Sequence, residues 1–81
     1  SHYIMPFVSH LHKAVSGQHL DVDEARDAML SILAGEATTA QIAAFLVALR
    51  MKGEQAKELE GFARAMRERA TRIPVSKTGP I

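Results

Sequence analysis

Cysteine is missing altogether, so the chain forms no disulfide, offers no thiolate to a metal and presents no thiol nucleophile. An excess of one charge is missing too: ten Lys and Arg stand against nine Asp and Glu, a formal +1. That balance supplies no large field for nucleic acid or an anionic membrane, and neither is expected as a partner. Long apolar runs are also lacking. The longest, IAAFLVAL over residues 42–49, falls far short of the roughly 20 residues that span a bilayer. The opening SHYIMPF has neither the basic lead nor the apolar stretch of a secretory signal, so the cytoplasm is the expected location. Ser1 and His2 read as a cloning remnant, and residues 1–5 as a lead into the fold.

What is present is an ordinary globular composition, 47% hydrophobic and 23% charged over 81 residues. This is room for one domain, which at such a size buries only roughly 60% of the surface of its unfolded chain. Modest stability is expected.

Periodicity and end signals predict an all-α compact bundle of about four short helices, near 6–16, 22–34, 39–52 and 55–70. Pro6 suits a first helical position, Phe7, Val8, Leu11, Ala14 and Val15 follow at three- and four-residue spacing, and Gly17 closes the helix. Asp21 with Glu24, and Thr38 with Gln41, have capping-box spacing and open the second and third helices; Gly35 and Gly53 end them. The second helix gathers Val22, Ala25, Met29, Ile32 and Leu33 on one face. In the fourth, Leu59, Phe62, Ala63, Met66 and Ala70 fall within an arc about 100° wide, the expected buried face. Lys57, Glu60, Arg64, Glu68 and Arg72 alternate in sign on the opposite, wet face. Gly61 costs about 1 kcal/mol relative to Ala in mid-helix, which points either to a close backbone approach or to a tolerated defect. Residues 73–81, IPVSKTGPI, carry two prolines, a glycine and no helical period, and read as an extended exit toward a domain cut away. The helical domain is thus expected over 6–72.

The third helix poses the main question. It has no polar side chain from Ile42 to Leu49, and a helix apolar all round must be buried on every side. A chain this short has little else with which to surround it. Either the whole helix is intramolecular core, or, the favoured reading, Ile42, Leu46 and Leu49 on one side face the core while Ala43, Val47 and Met51 on another face a second subunit or domain. With Phe7 and Leu11 of the first helix, these three are the candidate interface residues. A membrane-surface role lacks the basic polar face it would need.

The wording around these helices is specific. The turn Ala34-Gly35-Glu36, the block Ala40-Gln41-Ile42-Ala43-Ala44-Phe45-Leu46, the tail Leu49-Arg50-Met51-Lys52-Gly53-Glu54 and the stretch Ala63-Arg64-Ala65-Met66-Arg67 closely resemble the small N-terminal helical domain of the anthranilate phosphoribosyltransferases. The resemblance covers about Val8 to Pro74. Pyrimidine nucleoside phosphorylases share the pattern, but Ala65-Met66-Arg67-Glu68-Arg69-Ala70 favours the anthranilate enzymes; a free-standing helical interaction module is a further alternative. The resemblance implies a transferase of tryptophan biosynthesis, joining the amino nitrogen of anthranilate to the anomeric carbon of phosphoribosyl pyrophosphate, with Mg2+ on the pyrophosphate. In that family the chemistry lies mainly in an α/β domain that begins with a Gly-Thr-Gly-Gly-Asp loop. Lys77-Thr78-Gly79-Pro80-Ile81 does not match that loop, and Pro80 removes a backbone N–H that an anion nest would use. No catalytic, substrate-binding or metal residue is therefore carried over, and the chain alone is expected to be inactive. The implied partners are a second copy, giving a homodimer through the helical domain, and the C-terminal α/β catalytic domain. One departure stands out: the family commonly has Thr-Pro where this chain has Gln55-Ala56, which leaves the start of helix four open.

Other constellations read more simply. His10 and His12, two apart on a helix, point about 200° from each other and cannot share one ion. Asp21, Asp23, Glu24 and Asp27 sit in the first turns of a helix, where capping and the helix dipole favour acids. Arg64, Arg67, Arg69 and Arg72 lie among acids on a solvated or interdomain face. The two helices across Gly35 have a helix-turn-helix outline, but the second would offer Ile42, Ala43, Ala44 and Phe45 where a recognition helix presents polar side chains.

Overall fold

Capping chemistry sets two of the helix starts. Asp21 accepts a hydrogen bond from the Glu24 backbone N–H at 2.8 Å while Glu24 accepts from that of Asp21 at 2.9 Å. Thr38 and Gln41 repeat the exchange, both at 3.0 Å. Each box satisfies two backbone donors that a helix start leaves orphaned. At the other end of the second helix, Gly35 takes φ +78°, and the N–H groups of Gly35 and Glu36 return to the carbonyls of Ile32 and Ser31. This is a Schellman closure, which needs a left-handed residue and so favours glycine.

The computed structural model describes residues 6–72, and among them four α-helices and no strand: α1 (Phe7–Val15), α2 (Val22–Leu33), α3 (Thr39–Lys52) and α4 (Ala56–Arg72). The predicted class and element order hold. Pro6 is the residue before α1, with extended ψ of 149°, rather than its first helical residue. The readings of residues 1–5 and 73–81 lie outside the described residues.

Two packing styles build the bundle. α2 and α4 approach closely through small side chains, with Ala25, Ala28 and Ala65 fully buried. Gly61 lies at the crossing, where an added Cβ would collide with the Val22 carbonyl and come within 2.7 Å of the Ala25 Cβ and 2.8 Å of the Arg26 nitrogen. Of the two readings of Gly61, close approach is the correct one. Large side chains fill the rest of the core: the Phe45 ring stands edge-on to Phe7 at 5.1 Å and to Phe62 at 6.2 Å, with Leu20 and Leu49 completing the cluster. Edge-to-face rings add roughly 0.5–1.5 kcal/mol per pair beyond their burial.

Three expectations change here. Phe7, proposed for the interface, is 5% exposed and belongs to the core, because its ring is the outer member of the phenylalanine file. In α3, Phe45 and Leu49 face inward while Leu46 is 53% exposed, so the core face is turned away from the one assigned to Leu46. In α4, the buried residues are Glu58, Gly61, Phe62 and Ala65. The close crossing at Gly61 fixes that rotation, and it leaves Leu59 and Met66 half exposed. The expected wet face, Lys57, Glu60, Arg64 and Glu68, is exposed as predicted.

Hydrogen-bonded polar and charged pairs brace the helices. His10, 2% exposed, meets Asp27 at 2.7 Å, and Lys13 meets Glu24 at 2.8 Å, joining α1 to α2. Arg26 engages Glu68 with two nitrogens at 2.6 and 3.0 Å, joining α2 to α4 and holding the guanidinium more firmly protonated than usual. His10 is thus a structural histidine, with His12 exposed on a different face. Asp21 and Glu24 are occupied by the cap, as their position suggested.

Replacing Gly61 with Ala tests the crossing. The intrinsic helix gain of about 1 kcal/mol should be outweighed by overpacking against α2 backbone, giving a net loss of about 1–2 kcal/mol in urea denaturation. A more stable Gly61→Ala variant would contradict the close approach.

Candidate interaction surface

The face of α3 that the core leaves open is apolar. Together with the end of α1 it forms a groove of about 580 Å³. Ala14, Ala43, Ala44 and Ala48 give it shallow walls, while Val15, Val47 and Met51 stand out from it at 63, 57 and 82% exposure. Small residues let another backbone come close, and protruding ones supply knobs for its holes. Of the sequence candidates, Ala43, Val47 and Met51 line this groove and are exposed; Leu11 is half-buried against the core, and Phe7 is inside it. Val15 belongs to the surface although it was read only as part of the α1 periodicity.

Lys52 lies at one end of the groove and leads into a buried polar cluster. Its side chain is 5% exposed, and its ammonium lies 2.7 Å from both carboxylate oxygens of Glu58, whose side chain is fully buried. Glu58 also accepts from the backbone N–H groups of Leu20 at 2.7 Å and Gln55 at 2.8 Å. The Lys52 ammonium completes its set by donating to His19 Nδ1 at 3.0 Å. Burial alone would raise the Glu58 pKa, but the hydrogen bonds from Lys52, Leu20 and Gln55 outweigh it and hold the carboxyl below its ordinary value.

The sequence reading missed this cluster. A signal existed: Glu58 stands three residues after Gln55 at the start of α4, the spacing from which a carboxylate reaches back to a cap N–H. Because Gln is a poor cap residue, only that half of the box forms among the bonds seen here, and the other carboxylate contacts come from distant segments that no local pattern encodes.

Among the described residues, no three His, Cys, Asp or Glu side chains converge to hold a metal ion. No helix among them is long and apolar enough to cross a membrane. What the surface offers is apolar contact area next to a charge cluster that is already internally satisfied.

The fold is a small helical bundle that leaves large apolar side chains of α1, α3 and α4 exposed. Residues 8–70 match the model of the glycosyl transferase family helical bundle domain, and the chain belongs to that family. It is 59% identical over 69 residues to the anthranilate phosphoribosyltransferase of Moorella thermoacetica, covering 85% of this chain and 20% of that protein. The corresponding enzyme of Solibacter usitatus is 56% identical over 72 residues, covering 89% of this chain and 21% of its own length. That of Thermomicrobium roseum is 47% identical over 71 residues, covering 88% and 20%. The chain therefore spans about a fifth of the length of the curated relatives it matches.

Glu58 gives the bundle an acid sensitivity of definite sign. Its carboxyl titrates lower in the folded chain than in the unfolded one, so the stabilisation is complete above the ordinary carboxylate range and is lost as pH falls through the depressed value. Urea midpoints should fall between pH 7 and pH 3. Glu58→Gln should cost about 3 kcal/mol or more at pH 7, because it strands the Lys52 charge in the interior, and the remaining pH dependence should flatten. A variant as stable as the parent at pH 7 would contradict the role given to this carboxylate.

Proposed function

We propose that the chain is the small helical domain of an anthranilate phosphoribosyltransferase and that it joins two subunits through the α1/α3 groove. The observation that carries this reading is the 47–59% identity to enzymes of that one name, extending over 85–89% of the chain. The parent reaction joins the amino nitrogen of anthranilate to the anomeric carbon of phosphoribosyl pyrophosphate and releases pyrophosphate, in tryptophan biosynthesis and in the cytoplasm. Mg2+ bound to the pyrophosphate belongs with residues outside this chain, as do the groups that act on substrate. The domain itself contributes no catalytic residue.

The groove supports the dimer. Val15, Val47 and Met51 are exposed on one apolar surface, and a second copy presenting the same surface meets it in an isologous contact, each α3 crossing its mate over the alanines. A nucleoside phosphorylase small domain is the less favoured reading, since the relatives described above carry the transferase name.

The functional reading is tested with a chimera in which this chain's residues 8–70 replace the matching stretch of the Moorella thermoacetica enzyme. Transfer of the phosphoribosyl group to anthranilate is expected, and the chain alone should show none; a folded but inactive chimera would sink the reading. The dimer has its own test in sedimentation equilibrium. The chain should self-associate, and Val47→Glu with Met51→Glu should weaken association by about a hundredfold or more, since each buries an unpaired carboxylate, while helicity by circular dichroism stays unchanged. Unfolding by these substitutions would instead place both residues in an intramolecular core.

A further inference from the structure

We infer that the bundle contains a proton-operated seam: in acid the helix pair α1/α3 parts from the pair α2/α4, while each pair keeps its own contacts. This goes beyond the functional reading above and does not depend on it.

Packing defines the two pairs. α2 lies closest on α4, through Gly61, and α1 on α3, through Phe7 and Phe45. The chain alternates between them, so all three connections cross from one pair to the other, and each contains a glycine at positive φ: Gly17, Gly35 and Gly53. Turns alone join the pairs covalently.

Charge is divided between the pairs with one polarity. α1 and α3 contain no carboxylate; their ionisable residues are His10, His12, Lys13, Arg50 and Lys52. Three of these reach across the seam, where His10 meets Asp27 at 2.7 Å, Lys13 meets Glu24 at 2.8 Å and Lys52 meets Glu58 at 2.7 Å. All three run the same way, base on α1/α3 and acid on α2/α4. The neighbouring groups do not offset this. Arg26 also faces Asp27 but is held by Glu68, Glu24 has in addition only the backbone N–H of the Asp21 cap, and His19 offers Lys52 a ring nitrogen and no charge. His12 and Arg50 are exposed.

Acid therefore acts on the seam from one side. Each carboxylate that takes up a proton loses its charge, while its partner stays or becomes a cation. Two of the cations left behind are inside, with the His10 side chain 3% exposed and that of Lys52 5%. A buried cation without its counter-ion is unstable, and parting of the pairs returns both to water. Once the acids are neutral, both pairs are also positive and repel. Glu58 titrates below the ordinary carboxylate value, so the opening is complete only when the pH has passed below it.

Contacts within each pair do not titrate: Phe7 stands against Phe45 in one, and Gly61 against Ala25 in the other. The Arg26–Glu68 bridge within α2/α4 is lost as well, but it lies at the surface, where such pairs contribute little. Phe45 against Phe62 at 6.2 Å is the apolar contact that crosses the seam and helps to keep it closed at neutral pH.

The absence of cysteine from the chain makes the test direct, since spin labels are carried by introduced thiols. His12, Asp23, Arg50 and Lys57, one on each helix, take no part in the three ion pairs and are exposed. Distances between two labels are measured by electron–electron double resonance at pH 7 and pH 3, with the labelled chain diluted in unlabelled chain so that association adds no signal. His12→Cys with Arg50→Cys, and Asp23→Cys with Lys57→Cys, report within the pairs. Both distances should hold, and helicity by circular dichroism with them. His12→Cys with Lys57→Cys, and Asp23→Cys with Arg50→Cys, report across the seam. Both should lengthen and broaden at pH 3, and the radius of gyration should grow by about 10–20%. Cross-seam distances that stay at their pH 7 values overturn the proposal. Within-pair distances that broaden together with the cross-seam ones also overturn it, since the bundle would then lose its packing as a single unit.

Discussion

The bundle depends on one buried carboxylate. Glu58 has no solvent contact, and removing an ion from water costs several kcal/mol unless the protein replaces its hydration. Here the replacement is complete: two backbone N–H groups and the Lys52 ammonium all point at its two oxygens. The donors come from the α1–α2 connection, the last residue of α3 and the residue before α4. One side chain therefore ties together three chain segments at one end of the molecule. Lys52 also sits at the C-terminus of α3, where a positive charge complements the helix dipole, so the pair anchors the helix that carries the groove at the end where its direction is set.

The rest of the architecture divides by side-chain size. Between α2 and α4, glycine and alanine allow backbones to touch, and the helices have little freedom to rotate against each other. Across the middle of the bundle, three phenylalanine rings do the filling, with Phe45 between Phe7 and Phe62. The two arrangements constrain different things: small residues set the rotation of α4, and large ones set the rotation of α3 by drawing Phe45 inward. Both exposed apolar faces follow from those rotations. Val47 and Met51 end up outside because Phe45 and Leu49 are inside, and Leu59 and Met66 end up on the flank because Gly61 faces α2.

This explains which parts of the molecule could be read from sequence. Caps, glycine ends and three- to four-residue periodicity are local, and they place the four helices to within a residue or two. The exposed candidates Ala43, Val47 and Met51 were legible because an unbroken apolar helix has more apolar surface than a small core can take. The orientation of each helix about its own axis was less so. In α4 the apolar arc of Leu59, Phe62, Ala63, Met66 and Ala70 outweighs, by composition, a face that contains a glutamate and a glycine. The structure selects the latter because Glu58 gains donors from Leu20 and Lys52, outside its helix, and Gly61 gains a close neighbour, and neither of these advantages is visible along the chain. Phe7 went astray for the same reason, since its place in the core depends on Phe45, 38 residues away in sequence.

A domain of this size with two uncovered apolar faces has its stability coupled to what covers them. Any partner that binds the folded bundle and not the unfolded chain raises stability by mass action, and both faces consist of residues that only the folded arrangement gathers. Lys52 makes the coupling local: it borders the groove and it neutralises Glu58, so whatever displaces the end of α3 disturbs both the surface and the interior charge pair. The interior pair fixes the end of α3, which lowers the ordering cost of any contact made there. Folding of the bundle and any contact made at the end of α3 are thus linked through a single lysine.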